Sequence, residues 1–150
     1  MRRRAGFTLV ELLIVIAISF ILLGVGAIRI SRTPILMAAS QRVARRLVAD
    51  LRLAQSQAIT DAKNHYLLFT SNGTKFVQYA IFRVEPSGDV QVLPTRTLPD
   101  DVALTGNSSR VEFTPGGDAL AAYSFTITSP GRSYSVSVVM ATGTVVLQEN

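Results

Sequence analysis

Polar and apolar positions divide the chain into three regimes. Residues 7–28 read FTLVELLIVIAISFILLGVGAI, 22 residues in which Glu11 is the single charge and Thr8 and Ser19 are the other polar interruptions. A bilayer core of ~30 Å takes ~20 apolar residues in a helix, so the run is long enough to span. Gly24 and Gly26 each weaken a helix by ~1 kcal/mol relative to alanine. They read either as a site of bending or local melting, or as close packing against a neighbour. Pro34 either kinks the rod or opens a second helix in its first turn.

From Ile35 to about Lys63 the pattern turns amphipathic. Val43, Leu47, Leu51, Ala54 and Ala58 recur at three- and four-residue spacing, which predicts one helix face laid on a C-terminal domain. Arg42, Arg45, Arg46 and Arg52 fall off that face. Beyond Lys63 the period shortens to two. Strands are predicted over residues 65–70, 74–84, 90–93, 95–98, 102–105, 110–113, 123–128, 134–139 and 144–148, several of them very short. Asn72-Gly73 is a hairpin signal, and Pro86-Ser87-Gly88-Asp89, Gly116-Gly117, Pro130-Gly131 and Gly143 supply the other breaks. About seven strands after one long helix predict an α+β fold, with the helix packed on an antiparallel sheet.

Composition sharpens this picture. The chain is 48% apolar, and most of the excess lies in residues 7–28. It has no cysteine, which excludes a disulfide framework, a thiol nucleophile and cysteine metal sites. The formal charge of +5 is unevenly spread. Residues 29–63 hold seven basic and two acidic side chains, a net of +5, whereas residues 64–150 hold five basic and seven acidic, a net of −2. A basic stretch directly after an apolar run suits anionic headgroups, acidic neighbouring proteins or DNA. Arg2, Arg3 and Arg4 precede the run and should keep its N-terminus cytoplasmic.

An ordinary secretory signal fits poorly, because its apolar region is ~7–15 residues and a small-residue cleavage site follows it. A plain signal anchor accounts for length and orientation but not for Glu11, since a carboxylate inside a span is costly and is usually functional or paired. Arg4-Ala5-Gly6-Phe7-Thr8-Leu9-Val10-Glu11, followed by Leu12 to Ile18, resembles the processing motif of type IV prepilins and type II secretion pseudopilins. In that family a membrane aspartyl peptidase cuts after the glycine and methylates the new amine. The resemblance implies cleavage between Gly6 and Phe7, N-methylation of Phe7, and an assembly role for Glu11. Glycine lets the peptidase approach the backbone. A carboxylate in hydrocarbon wants the Phe7 amine of an adjacent subunit, which would set the register of assembly.

The later segments resemble the GspH/FimT branch of pseudopilins, which are minor subunits. They are Leu51 to Ile59, Leu98-Pro99-Asp100-Asp101-Val102, Val111 to Gly117, and Ala141 to Val145. The implied division is a leader over 1–6, a transmembrane and filament-core helix over 7–30, an amphipathic continuation over 31–63, and an antiparallel β domain over 64–150. The implied partners are the prepilin peptidase, other pilin or pseudopilin subunits, the inner membrane and its assembly platform. The implied location is the inner membrane, single-pass, with the C-terminal domain periplasmic, and then a periplasmic or extracellular filament serving type II secretion or a type IV pilus. DNA-binding members of the branch carry a glycine-arginine-x-arginine cluster in the closing hairpin. Here Gly143, Thr144, Val145 and Val146 stand there, and Arg132 is a single arginine one hairpin earlier. DNA uptake through Arg42, Arg45, Arg46, Arg52 and Arg132 is therefore the alternative, and it is not favoured.

Other chemistry finds little support. His65 is the only histidine, and it reads as a surface or packing residue rather than a ligand. Asp100-Asp101 and Asp118 lack the alternating acidic loop of a calcium cage and read as turn residues. No glycine-rich phosphate loop and no serine with an oriented base is present. The expectation is no catalytic site, no metal and no cofactor: a substrate of an enzyme rather than an enzyme.

Overall fold

The computed structural model describes residues 8–27 and 33–150, with side chains at 8–20 and 38–150. The chain divides into two compact units, residues 1–32 and 33–150. In the first, α1 spans Leu9–Ala27 and runs through Gly24 and Gly26. Its start is set locally. Thr8 Oγ1 accepts the Glu11 amide N–H at 3.3 Å, and the Thr8 carbonyl accepts from Leu12 N–H. Thr8-Leu9-Val10-Glu11 has the spacing of a capping box, with an acidic residue in the first turn where the helix dipole favours negative charge. Ser19 Oγ donates to the Val15 carbonyl at 2.8 Å, so its hydroxyl is satisfied within the helix. Side chains from Leu9 to Phe20 are exposed throughout. Among the described residues no helix is long and apolar enough to cross a membrane. The 19 residues of α1 rise ~28 Å, just short of a ~30 Å hydrocarbon core. The run of residues 7–28 begins and ends outside the described residues.

In the second unit, α2 spans Thr33–Asp61, two residues earlier at each end than the pattern of apolar positions predicts. Pro34 stands in the first described turn of α2, and residues 28–32, on which the choice between a helix opener and a kink turns, lie outside the described residues. The helix stops where Ala62 takes a left-handed conformation (φ 51°) and Lys63 N–H bonds back to the Ala58 carbonyl at 3.3 Å. That is a Schellman closure with alanine where glycine is usual. The buried stripe of α2 consists of Ala44, Leu47, Val48, Leu51, Ala54 and Ala58, with Val43 packed at its margin.

Among the described residues, nine antiparallel strands form one sheet. They are β1 His65–Asn72, β2 Lys75–Arg83, β3 Val90–Gln91, β4 Arg96–Thr97, β5 Ala103–Gly106, β6 Arg110–Phe113, β7 Tyr123–Ser129, β8 Arg132–Val138 and β9 Val145–Glu149. Seven lie on one path, ordered β6-β1-β2-β5-β7-β8-β9, while the two-residue β3 and β4 pair only with β2. Each of the nine ranges read from the sequence overlaps one of these nine strands, so the expected total of about seven is two short. Strands β7 and β8 alternate strictly: Tyr123, Phe125, Ile127, Tyr134, Val136 and Val138 face α2, and the intervening serines and threonines face out or lie half-buried. Phe69 sits at the centre of the aromatic packing, with ring centroids 4.9 Å from Phe125, 5.1 Å from Phe76 and 5.4 Å from Tyr79. His65 is fully buried, a packing residue. Its Nδ1 lies 3.1 Å from the Lys63 carbonyl, to which it donates, and its Nε2 lies 3.3 Å from Asp61.

Candidate functional site

Three features carry chemistry. The first is the start of α1. Glu11 lies in its first turn with an exposed side chain, on a helix whose other side chains through Phe20 are exposed and almost entirely apolar. A carboxylate there has water or an outside partner as its alternatives. Gly6 and Phe7 lie outside the described residues. The Thr8 cap is a feature that residue-by-residue reading passed over, although its Thr-x-x-Glu spacing is visible in the sequence.

The second is a cavity of about 160 Å³ between the first half of α2 and the β2–β4 region. Arg42, Arg46 and Arg96 line it together with Tyr79, while Val43, Leu98 and Pro99 supply apolar wall. Two of its lining residues, Tyr79 and Arg96, are held by a network on Asp50. Asp50, 4% exposed, takes Arg96 Nε at 2.7 Å and Arg96 Nη2 at 3.1 Å, a fork-to-fork pair. Tyr79 Oη donates to the same carboxylate at 2.7 Å. Burial, then the bond to Asp50, pushes the Tyr79 phenol well above its ordinary value. Asp50 therefore neutralises Arg96 and holds it in place. Arg42 and Arg46, one turn apart on α2, are left without such a counter-charge.

The remaining arginines of the sequence-level candidate set do not converge here. Arg45 is exposed on the same helix but does not line the cavity. Arg52 Nη2 donates to the Val145 carbonyl at 3.2 Å, tying α2 to β9. Arg132 lies 3.3 Å from both Tyr134 Oη and Glu149 Oε1, at the far edge of the sheet. Tyr79, Asp50 and Arg96 were not anticipated, because no motif links residues spread from 50 to 96.

The third is a junction of loops. Gln55 Nε2 donates to the Gly117 carbonyl at 2.7 Å and the Thr142 carbonyl at 3.0 Å. One side chain of α2 thereby joins the 114–118 loop to the 140–144 turn. Asp118 accepts from Thr114 Oγ1, which places it in a turn. Elsewhere Tyr66, packed under the Arg110 guanidinium at 3.7 Å, donates to Asp89; burial and that bond raise its phenol to about 12. Among the described residues no three of His, Asp and Glu gather into a metal-holding group.

Within residues 33–150, one helix laid on a single antiparallel sheet is a fold shared with solved minor pilin and pseudopilin structures. The crystal structure of the type IV minor pilin FimU from Pseudomonas aeruginosa PAO1 matches with a TM-score of 0.59 at 20% identity, covering 72% of this chain and 91% of that one. The minor pseudopilin EpsH from the type 2 secretion system of Vibrio cholerae matches with a TM-score of 0.63 at 14% identity, covering 74% and 97%. At such identities the likeness concerns the fold. No curated protein sequence matches the chain. The family model described as type II transport protein GspH matches residues 43–144, and the prokaryotic N-terminal methylation motif matches residues 1–27. The chain belongs to the GspH family of type II transport proteins and carries the prokaryotic N-terminal methylation motif over residues 1–27.

Proposed function

We propose that this protein is a minor filament subunit. It is inserted in the inner membrane with its N-terminus cytoplasmic, cut between Gly6 and Phe7, and built through α1 into the filament of a type II secretion system or type IV pilus. The single observation that carries the reading is the union, in one chain, of the methylation motif over residues 1–27 with a GspH domain over residues 43–144. The expected partners are the prepilin peptidase, other pilin or pseudopilin subunits and the membrane assembly platform. Glu11 supports the assembly step. Burying a lone carboxylate in a helix bundle costs several kcal/mol, and pairing it with the Phe7 amine of a neighbour removes that cost only in the correct register. The run of residues 7–28 then serves twice, as membrane anchor before assembly and as filament core afterwards.

Mass spectrometry of the protein from cells tests this directly. The mature form should begin at an N-methylated Phe7, and Gly6→Leu should leave the six leader residues attached. A mature mass in the Gly6→Leu strain would defeat the processing assignment. Glu11→Leu should be processed normally yet fail to enter sheared filaments.

A further inference from the structure

The charges of residues 33–150 are almost balanced, ten basic against nine acidic, a net of +1. Most basic side chains are engaged. Lys63 and Arg83 pair with Glu85, Arg96 with Asp50, Arg110 with Glu112, Arg132 with Glu149, and Arg52 binds a carbonyl. Among the described residues, Arg42, Arg45, Arg46 and Lys75 make no ion pair or hydrogen bond. Three of these four lie within about one turn of α2, and two of the three line the cavity together with Tyr79 and Arg96. With Asp50 cancelling Arg96, the cavity carries a net charge of about +2.

Its volume of about 160 Å³ is below the ~300–1,000 Å³ of small-molecule and cofactor sites. That is room for one side chain. Guanidinium groups favour carboxylate or phosphate oxygens. The wall formed by Val43, Leu98 and Pro99 favours a group delivered on an apolar stem. A nucleic-acid backbone requires a row of phosphate contacts, whereas this unit has almost no net charge and two of its candidate arginines, Arg52 and Arg132, are held elsewhere. We propose that the Arg42–Arg46–Arg96 cavity is a docking notch for a single acidic side chain of a neighbouring polypeptide, a carboxylate flanked by apolar residues. The filament reading identifies that neighbour as an adjacent subunit, and to that extent the inference rests on it.

Arginine side-chain NMR of the full chain in neutral detergent micelles tests the notch. The probes are a short peptide with one glutamate between leucines, the same peptide with glutamine, inorganic phosphate, and a short DNA duplex. The glutamate peptide should move the Arg42 and Arg46 signals with a Kd on the order of 1 mM, and the glutamine peptide should bind about tenfold more weakly. Arg42→Gln or Arg46→Gln should each cost about tenfold, while Arg45→Gln on the same helix leaves the response unchanged. Arg42 and Arg46 are exposed, so these variants keep the fold, and Arg42→Lys retains charge as a further control. Equal responses to the two peptides overturn the proposal. So does preferential binding of phosphate or the duplex, with Arg42, Arg45, Arg46 and Arg52 shifting together. Either failure leaves the Gly6 processing readout untouched, so the two readings fail separately.

Discussion

Gly143 illustrates how a single residue is held by its surroundings. Its φ is +62°, and a Cβ built there would lie 2.1 Å from the Gly117 carbonyl oxygen and 2.5 Å from Gln55 Nε2. Both contacts belong to the junction that Gln55 makes between two loops. Gly143→Ala is expected to cost about 2–3 kcal/mol, from the left-handed backbone and from forced displacement of Gln55. Urea denaturation measures this. A change within experimental error would show that the junction yields freely. Glycine at this position is therefore explained by its left-handed backbone together with its packing, whatever follows it in the hairpin. Glu11 is the opposite case: its side chain is exposed among the described residues, and its importance is visible in the sequence as a charge in an apolar run. Arg42 and Arg46 lie between these extremes. Their charge was legible, but their convergence on Arg96 and Tyr79 was not.

Among the secondary elements, α2 organises the globular unit. Its stripe of small and branched residues presents no aromatic, and Ala44, Ala54 and Ala58 allow the sheet to approach closely, with the aromatic bulk supplied from β1, β2 and β7. The helix was legible from its three- and four-residue period. Its C-terminal stop was not, because Ala62 carries no breaker signal. The stop comes from the backbone bond of Lys63 to Ala58 and from the strand that begins at His65. Ala62→Gly should accordingly raise stability by about 0.5–1 kcal/mol, since glycine adopts a left-handed conformation without the Cβ clash. Equilibrium unfolding checks it, and a loss of stability would mean that the Ala62 methyl has a packing role. The short strands were the least legible elements. Residues 90–93 and 95–98 alternate as strands do, yet only Val90–Gln91 and Arg96–Thr97 pair, because β3, β4 and β5 share, at successive positions, the one edge of β2 that β1 does not occupy.

At the scale of the whole molecule, the two units answer to different solvents. Among the described residues, every member of the core lies between Ala39 and Leu147. Residues 33–150 alone should therefore fold and unfold cooperatively, with Tyr66 and Tyr79 buried as in the full chain. A molten, non-cooperative transition for that fragment would refute this. The described apolar side chains of the first unit, from Leu9 to Phe20, are exposed and call for lipid or other protein.

What the sequence alone determined was local or compositional. The apolar run, its single carboxylate, the Gly6-Phe7 motif, the period of α2 and the two-residue alternation of the long strands depend on neighbours a few positions away. Family and α+β class followed from them. What only the tertiary structure decided was which distant residues meet. The Asp50–Arg96–Tyr79 network, the Gln55 junction and the sheet order are set by pairing across tens of residues. Chain entropy makes such contacts costly unless a packed core enforces them, and no short pattern records them.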